Sequence, residues 1–290
     1  MPSNLQAWLA HISRVHPREI ELGLERVQCI AEAMSLSKLP KVVTVAGTNG
    51  KGSVVSVMES LLCNAGVRVG SYTSPHLHRF NERIRLRGFP CDDDLICEAF
   101  SRIDAIRREV SLSYFEFATL AALWIFQRKQ VSVALLEVGL GGRLDAVNIL
   151  DPDVSVITSI GLDHQDWLGD NREEIGLEKA GILRQGGIFV CGDPEPPLSV
   201  IHKARELSCL SFYQGKEFGL QANEHSEGTQ WYGLAPDSRE MCASFPADIA
   251  VLPINVSTAL QTLACAGLDV DWEQIAANLA AVKPPGRQEL

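Results

Sequence analysis

The chain has 290 residues, 46% hydrophobic and 21% charged, with a formal net charge of −10. That length and composition suit one large or two modest domains with an ordinary core, and the sign of the charge argues against a general nucleic-acid or anionic-membrane binder. The eight cysteines show no CxxC pair and no metal-like spacing, which reads as reduced thiols in a cytosolic protein. Residues 1–12 are amphipathic and fall short of a signal-peptide apolar region, and no apolar run reaches transmembrane length.

In chain order, Leu5, Trp8, Leu9 and Ile12 recur at helical spacing over residues 4–13, and Leu22, Val27, Ile30 and Met34 suggest a second helix. Residues 42–46 are a β-branched run that reads as a strand. It stops at Gly47-Thr48-Asn49-Gly50-Lys51-Gly52-Ser53, and a helix follows over 51–64, ended by Ala65-Gly66. The pattern then predicts a strand over 67–72, helices over 92–109 and 116–129, and a near-continuous apolar strand over 131–138. A strand over 154–159, a helix over 172–183, a strand over 188–191 and a helix over 198–207 come next. Over 212–253 the periodicity weakens into a small β-ribbon or loop excursion. Two helices, 254–265 and 272–282, lead to Lys283-Pro284-Pro285-Gly286-Arg287, which reads as a linker.

Strands alternating with helices predict an α/β fold, a mostly parallel sheet with helices on both faces. Ligands of such sheets sit at the carboxyl ends of the strands. The polar and glycine-rich segments 48–53, 73–76, 137–145 and 159–166 all follow strands, so one edge of the sheet collects them.

The glycine turn after the first strand is a phosphate cradle in outline. Glycines let backbone N–H groups converge on an anion, the following helix adds its positive end, and Lys51 adds a full charge. Its spacing departs from the usual P-loop, because Gly52 separates Lys51 from the hydroxyl of Ser53. Lys51 would hold phosphates, and Ser53 or Thr48 could reach a phosphate or a metal. Glu137, at the end of a buried strand, is either a metal-contacting acid or a carboxylate paired with Arg143. Ser74 is either an oxygen ligand or a turn hydroxyl bonded to its own backbone. His164 lies between Asp163 and Asp166, which could fix its tautomer. Lys179 has a default reading as a surface lysine near a helix end. Tyr114-Phe115 could stack on a flat ligand or belong to the core.

Five segments in order carry a family resemblance: Gly47 to Ser53; Thr73-Ser74-Pro75-His76-Leu77; Leu136-Glu137-Val138-Gly139-Leu140-Gly141-Gly142-Arg143-Leu144-Asp145-Ala146; Leu162-Asp163-His164-Gln165-Asp166-Trp167-Leu168-Gly169; and Glu178-Lys179-Ala180-Gly181-Ile182. Together they resemble folylpolyglutamate synthase/dihydrofolate synthase, a branch of the ATP-dependent Mur ligase superfamily. The resemblance implies the Mur ligase central ATP-binding fold and an amide ligase that phosphorylates a carboxylate and then joins it to L-glutamate. It implies ATP and Mg²⁺, with Thr48, Asn49, Gly50, Lys51, Gly52, Ser53, Asn255 and Arg287 at the nucleotide. Ser74, Glu137 and His164 become magnesium ligands, and Lys179 becomes a carbamylated lysine holding a second Mg²⁺. Lys51, Glu137, His164 and Lys179 are thus the implied catalytic set. Ile20, Glu21, Leu22, Ser113, Leu144, Asp145 and Ala146 match the dihydropteroate or folate pocket, with Glu21 standing where the family more often has Asp.

The family implies a cytoplasmic monomer with no nucleic-acid or membrane partner. It also implies that residues 1–282 are an ATP-binding domain with N-terminal pterin-binding helices, and that 283–290 begin a linker to a C-terminal glutamate ligase domain beyond this chain. ATP and pterin binding with little ligation is the expectation for the chain alone. The alternatives are a Mur-type ligase acting on UDP-muramyl peptides and a non-catalytic nucleotide-binding module. Gly52 before Ser53 and the Leu22-Gly23-Leu24-Glu25-Arg26 run favour the folate branch.

Overall fold

A computed structural model gives the architecture. It describes residues 2–282 apart from 17, 19, 20, 37, 38, 223–227, 247, 248, 269, 273 and 281, so Ile20, Arg287 and the expected linker lie outside the described residues. Helices α1 (Leu5–Val15) and α2 (Glu25–Ala33) precede β1 (Val42–Ala46) and α3 (Lys51–Asn64). The chain continues through β2 (Val69–Tyr72), β3 (Ile84–Leu86), β4 (Phe89–Pro90), α4 (Asp93–Arg107), α5 (Tyr114–Arg128), β5 (Val133–Glu137) and β6 (Val154–Ile157). Then come α6 (Gln165–Leu168), α7 (Arg172–Lys179), β7 (Ile188–Cys191), α8 (Leu198–Glu206) and β8 (Leu210–Tyr213). Strands β9 (Gly219–Ala222), β10 (Gly228–Leu234) and β11 (Glu240–Pro246) and helices α9 (Pro253–Ala266) and α10 (Ile275–Ala280) complete it.

The main sheet has eight strands in the order β4-β3-β2-β5-β1-β6-β7-β8, and the run from β2 to β8 is parallel. Side chains of β1 alternate across it. Val43 and Val45 join α3, α9 and α10 in one core, while Val42 and Ala46 join α1, α2, α4 and α5 in the other. The expected helices on both faces are therefore present, and a strand covered on both sides explains why residues 131–138, which include β5, read as a near-continuous apolar run. Each fully buried Val or Leu contributes about 1.5–3 kcal/mol, so β1 is a rigid support for the loop that leaves its end.

The predicted β excursion is the antiparallel β9-β10-β11 sheet, but it begins later than expected, because β8 still pairs with β7. The β3-β4 hairpin has no counterpart in the sequence reading. Its strands are three and two residues long, too short for a periodicity. Its turn is nevertheless encoded: Arg87 (φ 51°) and Gly88 (φ 82°) both take the left-handed region, as a two-residue hairpin turn requires. All eight cysteines are unpaired. Among the described residues no helix is long and apolar enough to cross a membrane.

Candidate active site

Strand β1 lies between β5 and β6, with Val45 opposite Glu137 and Ala46 opposite Ile157. The glycine loop therefore emerges between the end that carries Glu137 and the segment after β6. Two glycines are required there by shape. A Cβ on Gly47 (φ 150°) would lie 1.9 Å from Thr158 Oγ1, and one on Gly50 (φ 90°) would lie 2.5 Å from Asn255 Oδ1. The second contact seats Asn255, at the start of α9, directly on the loop.

The segment after β6 staples the loop in place. Thr48 N donates to Ser159 O at 2.7 Å, Thr158 Oγ1 donates to Asn49 O at 2.7 Å, and Gly161 N donates to Thr48 Oγ1 at 3.0 Å. Thr48 and Asn49 are thus partly committed to shaping the loop. Lys51 Nζ donates to the carbonyls of Gly47 (2.9 Å) and Thr48 (3.2 Å), which holds the ammonium over the loop. The N–H groups in the first turn of α3 have no partner within the helix and point the same way.

Glu137 is only 5% exposed, and its Oε2 accepts from Ser74 N at 3.0 Å. Burial pushes its carboxyl up to about 7, against the pull of Lys51, the Ser74 N–H and Arg83. Arg143 is not its partner, because that guanidinium binds Glu178 Oε1 at 2.9 Å from NH2 and 3.1 Å from Nε. Ser53 is buried, its hydroxyl has no hydrogen-bond partner, and it lines a second cavity together with Glu137 and Ser74. An orphan hydroxyl beside a buried carboxylate and a second serine is a hard-oxygen set that fits Mg²⁺, which keeps several waters and uses few protein ligands. No group of three or more His, Cys, Asp or Glu that could hold a metal ion gathers among the described residues.

Lys179, the last residue of α7, is 3% exposed, so the surface-lysine reading fails. Burial first, then the charge of Lys51, pushes its ammonium down to about 8, with Asp163 opposing. His164 (φ 50°) is more than half exposed on the turn before α6. Its Nε2 lies 3.7 Å from Asp163 Oδ2, too far for a hydrogen bond, so this acid does not fix the tautomer.

A cavity of about 430 Å³ brings the predicted groups together. Glu21, Leu22, Ser113, Leu144, Asp145 and Ala146 line it, and so do Lys51, Ser74 and His164. Several of these side chains are held by neighbours. Ser113 Oγ caps α5 by accepting from Glu116 N, while Glu116 Oε2 accepts from Ser113 N at 2.7 Å. Arg26 joins Glu21 (2.6 Å) to Glu116 (3.2 Å), and His16 Nε2 meets Glu21 Oε2 at 2.9 Å. Asp145 accepts from the N–H groups of Gly139, Leu140 and Val147, yet burial still pushes it up to about 6. Phe115 lines the cavity, whereas Tyr114 packs edge-on against Phe80. Arg83 was not singled out from sequence, because it lies outside the quoted motifs; Asp163 was named only as a possible partner of His164, and its charge acts on Lys179 instead.

A model of the Mur ligase middle domain matches residues 45–231. The dihydrofolate synthase/folylpolyglutamate synthase of Escherichia coli is 42% identical over 289 residues, covering 99% of this chain and 67% of that protein. The chain belongs to the dihydrofolate synthase/folylpolyglutamate synthase family. Solved members of the family share the fold. E. coli FolC in complex with DHPP and ADP superposes with a TM-score of 0.92 at 42% identity, covering 98% of this chain and 67% of that one. A bifunctional folylpolyglutamate synthase/dihydrofolate synthase with Mn, AMPPNP and L-glutamate bound gives 0.88 at 43% identity, with the same coverage. The chain thus spans about two-thirds of the length of these family members.

Proposed function

We propose that this chain is the nucleotide- and acceptor-binding part of an ATP-dependent ligase that joins L-glutamate to dihydropteroate and to folates. One observation carries the reading: a single cavity is lined both by the residues matched to a pterin pocket and by Lys51, Ser74 and His164. In this reading residues 1–282 form the binding unit, and the protein works as a cytosolic monomer without nucleic-acid or membrane partners. Related structures carry ADP or AMPPNP with Mn, which supports ATP and a divalent cation as its cofactors.

The loop from Thr48 to Ser53, with Asn255 behind Gly50, binds the phosphates, and Lys51 neutralises charge where it builds up on transfer. Ser74, Glu137 and His164 would hold a divalent cation, with Ser53 in the same cavity as Ser74 and Glu137, and a carbamylated Lys179 would hold a second. A cation there supplies positive charge to the phosphates and the leaving oxygen. A lysine pushed down to about 8 keeps part of its amine neutral near pH 7.5. That amine can add carbon dioxide and lose a proton, turning a buried cation into an anionic ligand. Glu21, Leu22, Ser113, Leu144, Asp145 and Ala146 enclose the pterin, and Phe115 offers it a ring face. The acceptor carboxylate takes the γ-phosphoryl group as ADP leaves, and the glutamate amine then displaces phosphate.

Dihydropteroate, tetrahydrofolate and UDP-muramyl peptides given in turn, with Mg·ATP, test the reading through binding to this chain. Affinity for the first two supports it, and affinity for the muramyl peptide alone sinks it.

A further inference from the structure

Arg83 ends the short helical turn before β3, is half-buried, and lines the same cavity as Lys51. Its Nε donates to His76 Nδ1 at 2.7 Å. Its guanidinium carbon lies 5.5 Å from the ring centre of Tyr114 and 6.0 Å from that of Phe80. Rings and a neutral imidazole fix the direction of the group without supplying a negative charge. Among the described residues no carboxylate lies within 4.0 Å of it.

The other charged groups of the cavity are already engaged. Arg26 takes Glu21 and Glu116, and backbone N–H groups take Asp145. Lys51 and Arg83 are the two Lys/Arg side chains among the described lining residues, and Lys51 stands on the phosphate loop. A half-buried guanidinium, permanently charged and without a fixed counter-ion, is costly unless a ligand anion completes it. It lines the cavity together with Lys51 and Ser74.

We propose that Arg83 binds the carboxylate of the acceptor and steers it toward the Lys51 and Ser74 end of the cavity, an assignment that rests on reading the chain as a pteroate- and folate-binding ligase. The neutral remainder of the acceptor is then held by the walls, and the charged tip by one oriented guanidinium. Arg83 acts as a binding residue for the acceptor in the ground state and leaves nucleotide binding alone.

A ligand–protein cycle tests this on the 290-residue chain. Binding of dihydropteroate and of its carboxamide analogue is measured by calorimetry for the wild type, Arg83→Met, Arg83→Lys and Lys51→Met. The carboxylate should bind the wild type at least about tenfold more tightly than the carboxamide, as for a charge-assisted hydrogen bond. In Arg83→Met that ratio should fall to about one, with carboxamide and ATP affinities changed less than about twofold, and Arg83→Lys should restore part of it. An unchanged ratio in Arg83→Met overturns the assignment, as does a ratio lost only in Lys51→Met. Equal loss of both ligands in Arg83→Met makes the side chain a mere support and also overturns it. A wild type that binds ATP but neither pteroate ligand overturns the folate-ligase reading and this assignment with it.

Discussion

At the residue scale, Glu137 and Lys179 are ionisable groups held against their charged forms by burial. Raising Glu137 from 4.5 to about 7 means that the folded chain keeps a proton the unfolded chain has released. The neutral acid costs nothing below about 4.5; the cost of ionising it grows through the window up to about 7 and is complete above it. Stability of the metal-free chain should therefore fall by about 3 kcal/mol between roughly pH 5 and 8. Urea titrations should show the fall attenuated in Glu137→Gln. Lys179 has the opposite sign: its cost is full below about 8 and is relieved as pH rises toward 10.5. Among the described residues, the hydrogen bonds of Lys51 Nζ go to two carbonyls of its own loop. Lys51→Met should lower affinity for Mg·ATP about 10- to 100-fold by calorimetry, with little change in the unfolding midpoint. These roles were legible unevenly. The glycine loop, Glu137 and Ser74 stand in contiguous motifs after strands. The burial of Lys179 was not legible, because a lysine at a helix end looks the same on paper whether the helix faces solvent or the sheet edge.

At the scale of elements, the loop between β1 and α3 depends on the segment after β6. Gly47→Ala would push a methyl group into Thr158 while holding a left-handed backbone. A loss of about 2–5 kcal/mol is expected from strain and overpacking, measurable by chemical denaturation; a loss below about 1 kcal/mol would show that the loop relaxes freely. In the proposed function the acceptor end depends on Arg26, which ties the segment carrying Glu21 to α5. Arg26→Leu should weaken dihydropteroate binding at least about tenfold and leave ATP affinity unchanged, as two titrations of one preparation would show. Elements with an unbroken period, such as β1 and α3, were predicted to the residue. The β3-β4 hairpin was not, because five strand residues carry too few repeats for a pattern, and only the Arg87-Gly88 turn gives it away.

At the scale of the molecule, the proposed function has one cavity serve acceptor and nucleotide, so each ligand should stabilise the fold separately. At a hundredfold excess over its dissociation constant, either should add about 2.7 kcal/mol and raise the melting midpoint by about 5 °C or more. A UDP-muramyl peptide should leave the midpoint where it is. The alternation of strands and helices determined the layered α/β architecture from sequence alone, since period and length are local properties of the chain. The glycine loop and the segments after the strands determined where chemistry would gather, since a parallel sheet presents one set of ends. Tertiary structure alone decided how deeply side chains are buried and what they meet: Ser53 is buried with an orphan hydroxyl, Lys179 is buried with a depressed ammonium, and Arg83 is half-buried with no acid within 4.0 Å among the described residues. Burial and long-range charge are sums over residues far apart in the chain, and no local pattern of letters encodes them.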